Sequence, residues 1–125
     1  MSFTEAVKVG LSKFYFPYGR ASRSEYWWYF LFIFIISGVL GVIGGFVSGH
    51  GGMEQTWVGV VFDVLSLLLV ISVWMAGIRR LHDIDKSGWN TCWTFLPVVG
   101  GIYLLILFCR AGTPGPNKYG EAPAA

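Results

Sequence analysis

The chain has 125 residues, of which 54% are hydrophobic, 18% aromatic and only 13% charged. Soluble domains carry about a quarter charged residues, so this composition excludes a disordered tail, a disulfide-stapled secreted domain and an ordinary soluble enzyme. Nine basic residues oppose seven acidic ones, and their formal net charge of +2 supplies no broad basic face for a nucleic acid. A membrane-spanning helix needs about 20 mostly apolar residues, so we expect a small all-α membrane protein with room for three spans.

Residues 2–16 predict a short amphipathic helix that lies on the membrane surface. Ser2 and Glu5 have the spacing of a capping box, in which side chains satisfy exposed amides at the helix start. Six small or apolar residues share one helical face: Phe3, Ala6, Val7, Gly10, Leu11 and Phe14. A helix of this length is too short to span a bilayer, but it can bury such a face at the headgroup boundary.

The first predicted span covers residues 26–47 and follows a second capping-box pair, Ser22 and Glu25. Three small residues within the span are spaced four apart: Ser37, Gly41 and Gly45. Small residues at this spacing let another helix approach closely, so we expect this ridge to mediate helix packing. The alternative is that glycine is simply frequent in membrane helices.

The second predicted span covers residues 57–78 and contains one acidic residue, Asp63. A charge inside the hydrocarbon region is costly and by default marks a functional position. Asp63 lies only about two turns inside Trp57, however, where water or loop groups can reach it. A partly solvated structural side chain and a functional intramembrane acid are therefore both open.

A third apolar run, residues 89–108, follows the most charged segment of the chain, residues 79–88. Pro97 and a Gly-Gly pair at 100–101 interrupt the run. We expect a third full span, because irregular backbone at membrane depth needs cover from protein or a water-lined cavity. The alternative is a re-entrant hairpin that turns at this interruption. Residues 109–125 are rich in Pro and Gly and predict a turn-rich tail.

The distribution of basic residues indicates the orientation of the chain. Four precede the first span, three lie in the second loop and two follow the third apolar run, whereas the loop at residues 48–56 has none. Cytoplasmic loops carry an excess of Lys and Arg, so three full spans place the amino terminus and the second loop in the cytoplasm. Seven basic residues then lie inside and two outside. A re-entrant third segment would place all nine inside.

The charged segment contains the side chains that most resemble a catalytic or metal-binding group: His82, Asp83 and Lys86. Histidine beside carboxylates can relay protons or bind metal, but neither zinc-ligand spacing nor a second nearby histidine is present. We therefore expect no metal, no cofactor and no catalytic residue. Arg79 and Arg80 suit a helix C-terminus, where Asp83 or Asp85 can pair with them.

Basic and aromatic residues near one membrane surface favour binding of anionic lipid headgroups or of a partner protein. Each basic residue near the surface contributes about 1 kcal/mol to the binding of anionic lipid. The candidate positions are Arg20, Arg23, Glu25, Arg79, Arg80, His82, Asp83, Lys86 and Trp89. General positive-inside anchoring, which needs no specific lipid, is the alternative. A pore or carrier would use Asp63 and require an oligomer, since one protomer has too few polar residues along its spans.

Three motifs appear in order along the chain: GRASRSEYWW at 19–28, RLHD at 80–83 with SGW at 87–89, and GTPGPNKYG at 112–120. With these motifs the chain resembles the bacterial inner-membrane family catalogued as domain of unknown function 805, the YhaH-like proteins, over residues 1–120. The resemblance implies a multi-pass protein of the bacterial cytoplasmic membrane. It implies no activity, substrate or catalytic residue.

The first two motifs fall on the same cytoplasmic face of the predicted topology, which suggests an ionic clasp. We expect Glu25 to pair with a basic residue of the second loop, and Asp83 to pair with Arg20 or Arg23. The sequence thus favours a non-enzymatic, self-associating binding or accessory module, whose partners are membrane lipids or a membrane protein. A component of an oligomeric transporter or channel is the alternative.

Overall fold

The computed structural model describes residues 2–51 and 57–123, apart from the side chains at 48–51, 57 and 58. Within these residues the chain forms α1 (Phe3–Ser12), α2 (Arg23–Gly51), α3 (Trp57–Asp83), a 3₁₀ helix (Gly88–Phe95) and α4 (Val99–Cys109). The expected all-helical fold is confirmed for this part of the chain.

Helices α2 and α3 are long and apolar enough to cross a membrane. At 1.5 Å per residue they extend about 43 and 40 Å, which exceeds the hydrocarbon thickness of about 30 Å. Only 6% and 17% of their most apolar stretches are buried. A core helix of a soluble protein would bury most of such a stretch, whereas these two helices direct their apolar side chains outward.

The two long helices pack side by side, so that the start of α2 lies next to the end of α3. Tyr26, Tyr29 and Ile33 of α2 form a buried cluster with Ala76 of α3. The Tyr29 hydroxyl also forms a hydrogen bond with the Ser72 hydroxyl across this interface. We refer to the end of the pair formed by residues 19–25 and 79–83 as the charged end.

Helix α1 packs against the first turns of α2. Ser2 caps it by accepting a hydrogen bond from the Glu5 amide at 3.3 Å, as the capping-box spacing predicts. Ala6 and Gly10 are buried, and Gly10 lies so close to the Tyr29 ring that any Cβ there would overlap it. The helix ends at Ser12, earlier than expected, and part of its predicted apolar face contacts protein. Its position at the headgroup boundary stays a prediction.

The expected third spanning helix is not formed, because residues 89–108 are divided into the 3₁₀ helix and α4. Pro97 cannot donate a backbone hydrogen bond, and Val98 takes a φ of 62° just before α4 begins. Helix α4 is about 16 Å long, which is too short to span a bilayer.

The two short helices instead fold back on each other as a hairpin. The Trp93 ring stacks on the Tyr103 ring at 5.1 Å. The ring centroids of Phe95 and Trp74 are 6.1 Å apart, and Trp74 lies nine residues before the end of α3. The ring centroids of Phe108 and Tyr26 are 4.7 Å apart, so the chain has returned to the charged end. The hairpin therefore begins and ends at the charged end, which is the geometry of the re-entrant alternative.

Candidate functional site

The charged end is built on the last turn of α3, which extends five residues beyond the predicted end of the span. Residues 79–83, which the sequence analysis counts in the second loop, are therefore helical, and Arg79 and Arg80 lie near a helix C-terminus as expected. Helix C-termini leave carbonyls without partners, and here other segments supply the donors. The Ala21 amide donates to the backbone carbonyl of Arg79 at 3.0 Å, and the Thr113 amide donates to that of Asp83 at 2.7 Å. The Asn117 side chain donates to the backbone carbonyl of His82 at 3.0 Å. This external capping allows the helix to continue through charged residues.

Five buried ionic side chains form a cluster beneath this cap. Glu25 pairs with Arg79 at 3.5 Å, while Asp83 pairs with Arg20 at 3.0 Å and with Arg80 at 2.9 Å. The expected clasp is thus confirmed, with Arg79 as the partner of Glu25. Each of these side chains is at most 5% exposed, so three positive charges and two negative charges are held away from water.

Backbone carbonyls complete the coordination of two arginines in the cluster. Arg20 donates to the carbonyls of Thr113 at 2.6 Å and Gly115 at 2.7 Å, both in the tail. Arg80 donates to the carbonyl of Phe108 at 3.0 Å and also to that of Arg110. Arg80 therefore caps the C-terminus of α4 and fixes the returning arm of the hairpin to α3.

The tail closes over the charged end through His82. The His82 ring stacks on Tyr119 with centroids 3.9 Å apart and planes inclined by 4°. Its Nδ1 lies 3.0 Å from the Gly19 carbonyl oxygen, which can only accept, so Nδ1 carries the proton. Gly112 packs against the Asp83 carboxylate so closely that any Cβ would overlap it. These contacts give His82 and Asp83 structural partners both in the tail and in the segment before α2.

The structure divides the predicted headgroup-binding residues into two groups. Six are buried at the charged end: Arg20, Glu25, Arg79, Arg80, His82 and Asp83. Arg23 and Trp89 are exposed, Trp89 by 84%, and Lys86 is half-buried. Arg23 contacts the Cys109 carbonyl at 3.4 Å from its exposed position. Headgroup binding by any of these residues stays a prediction, but only the second group faces the surroundings.

Arg23 lines a polar recess of about 370 Å³ at the start of α2. The recess residues are Arg20, Ser22, Arg23, Ser24, Asp83, Gly112, Thr113, Ala122 and Pro123. Ser22 caps α2 from this position by accepting a hydrogen bond from the Glu25 amide at 3.2 Å, as its spacing predicts. The recess thus combines an exposed guanidinium with the N-terminus of a long helix.

An apolar groove of about 410 Å³ lies between α2, α3 and the hairpin, and its first lining residue on α2 is Tyr26, one helical turn after Arg23. It is lined by Tyr26, Phe30, Ile33, Phe34, Ser37, Leu69, Val70, Val73, Trp74, Gly77, Thr91, Thr94, Leu104 and Phe108. The Thr91 and Thr94 hydroxyls donate to the carbonyls of Gly88 and Thr91 at 2.8 and 2.7 Å. Because the two threonines direct their donors into backbone, the groove presents a mainly hydrocarbon surface. We call it the lateral groove.

The family model of a protein of unknown function, DUF805, matches residues 14–121. The chain belongs to this family. It is 33% identical over 105 residues to "Inner membrane protein YhaH" of Escherichia coli (strain K12), with 84% of each chain covered. It is 36% identical over 105 residues to "Inner membrane protein YhaI" of the same strain, covering 84% of this chain and 83% of that protein. No solved structure matches the chain.

The contacts between the charged end and the tail explain why the three motifs occur together in this DUF805 chain. The first motif contributes Arg20 and Glu25, the second contributes Arg80 and Asp83, and the third contributes the carbonyls and Asn117 that surround them. Sequence reasoning missed the part played by the tail. Its turn residues are recognisable, and Asn117 and Gly120 do exchange two backbone hydrogen bonds of 3.0 Å. Every residue has a backbone carbonyl, however, so the sequence does not show which carbonyls accept hydrogen bonds from the arginines.

The remaining predicted positions lie outside the charged end. Asp63 is exposed on α3 and lines neither the recess nor the groove. Ser37 lines the groove, while Gly41 and Gly45 have nothing within 4 Å of the point where a Cβ would stand. The glycine that faces α3 is Gly44, which lies against Phe62. A role of the predicted ridge between chains stays a prediction. Among the described residues no cluster of His, Cys, Asp or Glu could hold a metal ion.

Proposed function

We propose that this chain is a non-enzymatic binding module of the bacterial inner membrane, whose charged end takes the headgroup of an anionic lipid at Arg23. The family relatives named as inner membrane proteins support the location. The different exposure of the four arginines at the charged end supports the binding site. Arg20, Arg79 and Arg80 hold the fold together, whereas Arg23 is exposed on a polar recess.

The single observation that carries the proposal is the position of Arg23 above the lateral groove. An anionic phosphate in the recess would meet the Arg23 guanidinium and the positive end of the α2 dipole. The Asp83 carboxylate also lines the recess, but it is paired with Arg20 and Arg80. The apolar groove begins one helical turn below, at Tyr26. A polar site directly above an apolar one matches the two parts of a lipid.

The charged end faces the cytoplasm in this proposal. All nine basic residues lie before Tyr26 or after Ile78 in the sequence, and the hairpin brings its two ends back to the same end of α2 and α3. The positive-inside rule then favours a cytoplasmic position for both the amino terminus and the tail. Self-association and a membrane-protein partner are further proposals, with the exposed Gly41 and Gly45 face as the candidate surface. No observation favours a transporter that uses Asp63.

Native mass spectrometry of the protein released from gentle detergent tests the headgroup site. The wild type should retain phosphatidylglycerol with defined stoichiometry and retain phosphatidylcholine less well. Arg23→Ala should weaken phosphatidylglycerol retention at least fivefold, since one exposed charge near a membrane surface contributes about 1 kcal/mol. Lys8→Ala is the matched control, because Lys8 is exposed but does not line the recess. Equal retention by wild type and Arg23→Ala would refute the site.

A further inference from the structure

The lateral groove has the depth of one membrane leaflet. It extends along α2 from Tyr26 to Ser37, which is about 16 Å at 1.5 Å per residue. Half of the hydrocarbon thickness of a bilayer is about 15 Å. With the charged end placed at the membrane surface, as proposed above, the groove would extend from that surface to near the bilayer midplane.

The groove is narrow for its length. A volume of about 410 Å³ spread over about 16 Å gives a mean cross-section of about 25 Å². A helix about 10 Å across needs about 80 Å². The dimensions of the groove therefore suit a single extended hydrocarbon chain better than a whole transmembrane helix of a partner or of a second copy.

The groove also opens toward the surroundings along an exposed edge. Val70 is 59% exposed and Phe34 is 67% exposed, although both line it. Water is absent from the hydrocarbon region, so an apolar groove there is filled by hydrocarbon. An acyl chain of the adjoining leaflet can enter sideways without leaving the membrane.

Arg23 stands on the same face of α2 as the groove. Positions 23, 26, 30, 33 and 37 recur at intervals of three and four residues, which places them in one stripe along a helix. The contact of Arg23 with the Cys109 carbonyl bridges the top of the groove, next to its lining residue Phe108. A chain in the groove would therefore emerge directly beneath the guanidinium.

We propose that the lateral groove holds one acyl chain of an anionic glycerophospholipid from the leaflet at the charged end, whose phosphate contacts Arg23. This inference rests on the proposed headgroup site and adds the chain to it. The ligand is then selected by two separate features, the charge of its headgroup and the length of one chain. The hairpin supplies one wall of the groove, so the broken third segment would contribute to lipid binding as well as to packing.

Groove-filling variants test the inference. Val70→Trp and Ser37→Trp each place a large ring in the groove from a different helix, at exposed positions where the fold tolerates bulk. Leu67→Trp is the matched control, since Leu67 is 60% exposed on α3 but lies outside the groove. Binding is measured by native mass spectrometry with two probes, phosphatidylglycerol with sixteen-carbon chains and phosphatidylglycerol with six-carbon chains. Thermal unfolding confirms that each variant remains folded.

The inference predicts that both groove variants weaken long-chain binding at least tenfold while Leu67→Trp does not. Short-chain binding should be weaker in the wild type and insensitive to the groove variants. If Arg23→Ala weakens binding but the groove variants do not, the headgroup site stands and the acyl-chain site is refuted. If the groove variants weaken binding of phosphatidylglycerol and phosphatidylcholine alike and Arg23→Ala has no effect, the groove holds a chain but the headgroup site fails. Equal retention by all variants refutes both.

Discussion

Asp83 at the end of α3 binds Arg20, 63 positions earlier in the chain, through one carboxylate oxygen at 3.0 Å. Its other oxygen accepts from Arg80 at 2.9 Å. Asp83 therefore connects the segment before α2, the end of α3 and, through Arg80, the end of α4. The Asp83 side chain is 4% exposed, so the buried positive charges of Arg20 and Arg80 are neutralised by this carboxylate and not by water.

Replacing Asp83 should destabilise the fold more than any surface substitution. Asp83→Asn keeps the size of the side chain but leaves two buried guanidinium groups without a counterion, which costs about 3–5 kcal/mol. The free energy of unfolding in mixed detergent micelles, followed by circular dichroism, measures the loss. Asp85→Asn is the control, because Asp85 is exposed and asparagine tolerates its φ of 61°. A control as damaging as Asp83→Asn would contradict the role of the carboxylate.

Glu25 and Arg79 should behave as one energetic unit. Arg79 is 1% exposed, and among the described residues its Nε has no hydrogen-bond partner. Its ion pair with Glu25 is therefore important for the stability of the buried guanidinium. Glu25→Gln and Arg79→Gln should each destabilise, while the double variant should be more stable than their sum predicts by about 1–3 kcal/mol. The same unfolding assay measures all three variants.

A second mutant cycle distinguishes a specific pair from a general charge effect. Lys86 is half-buried and forms none of the ion pairs of the cluster. Glu25→Gln and Lys86→Gln should therefore be additive within about 0.5 kcal/mol. Coupling of equal size in both cycles would show that Glu25 responds to the overall positive charge and not to Arg79.

The sequence predicts the buried cluster better than it predicts the third apolar segment. Opposite charges in two motifs on one membrane face are enough to suggest the pairing of Glu25 and of Asp83. The extent of α3 was not predictable in this way, because two of the donors that cap it are backbone amides, those of residues 21 and 113. Hydropathy alone also cannot separate a spanning helix from a hairpin of similar length, since both are apolar along their whole course. Pro97 was the sequence feature that marks where the helix breaks, but it does not show in which direction the chain continues.

Two adjacent glycines test how the hairpin closes. A Cβ at Gly100 would overlap the Trp93 carbonyl oxygen, whereas one at Gly101 has nothing within 4 Å. Gly100→Ala should therefore force the arms apart and destabilise by about 1–3 kcal/mol. Gly101→Ala should be neutral or stabilising by up to about 1 kcal/mol, because alanine favours the helix. Unfolding free energies of the two variants provide the comparison, and equal effects would mean that the arms do not pack as described.

The hairpin makes a prediction about the two sides of the membrane. Arg80 holds the carbonyls of Phe108 and Arg110 beside the end of α3, so the segments before and after the hairpin should lie on the same side. Cysteines introduced at Lys86 and at Ala111, both outside the hairpin, should react with a membrane-impermeant thiol reagent from the cytoplasmic side. The native Cys92 and Cys109 are free and exposed, so both are first replaced by serine.

A cysteine at Gln55, in the sequence between α2 and α3, is the control and should react from the opposite side. Labelling of Lys86→Cys and Ala111→Cys from opposite sides would restore a third full span and contradict the hairpin. Labelling from one side would place all nine basic residues together, which is the arrangement that the positive-inside rule favours most strongly. It would also leave α2 and α3 as the two elements that cross the membrane, with the hairpin as a wedge in one leaflet.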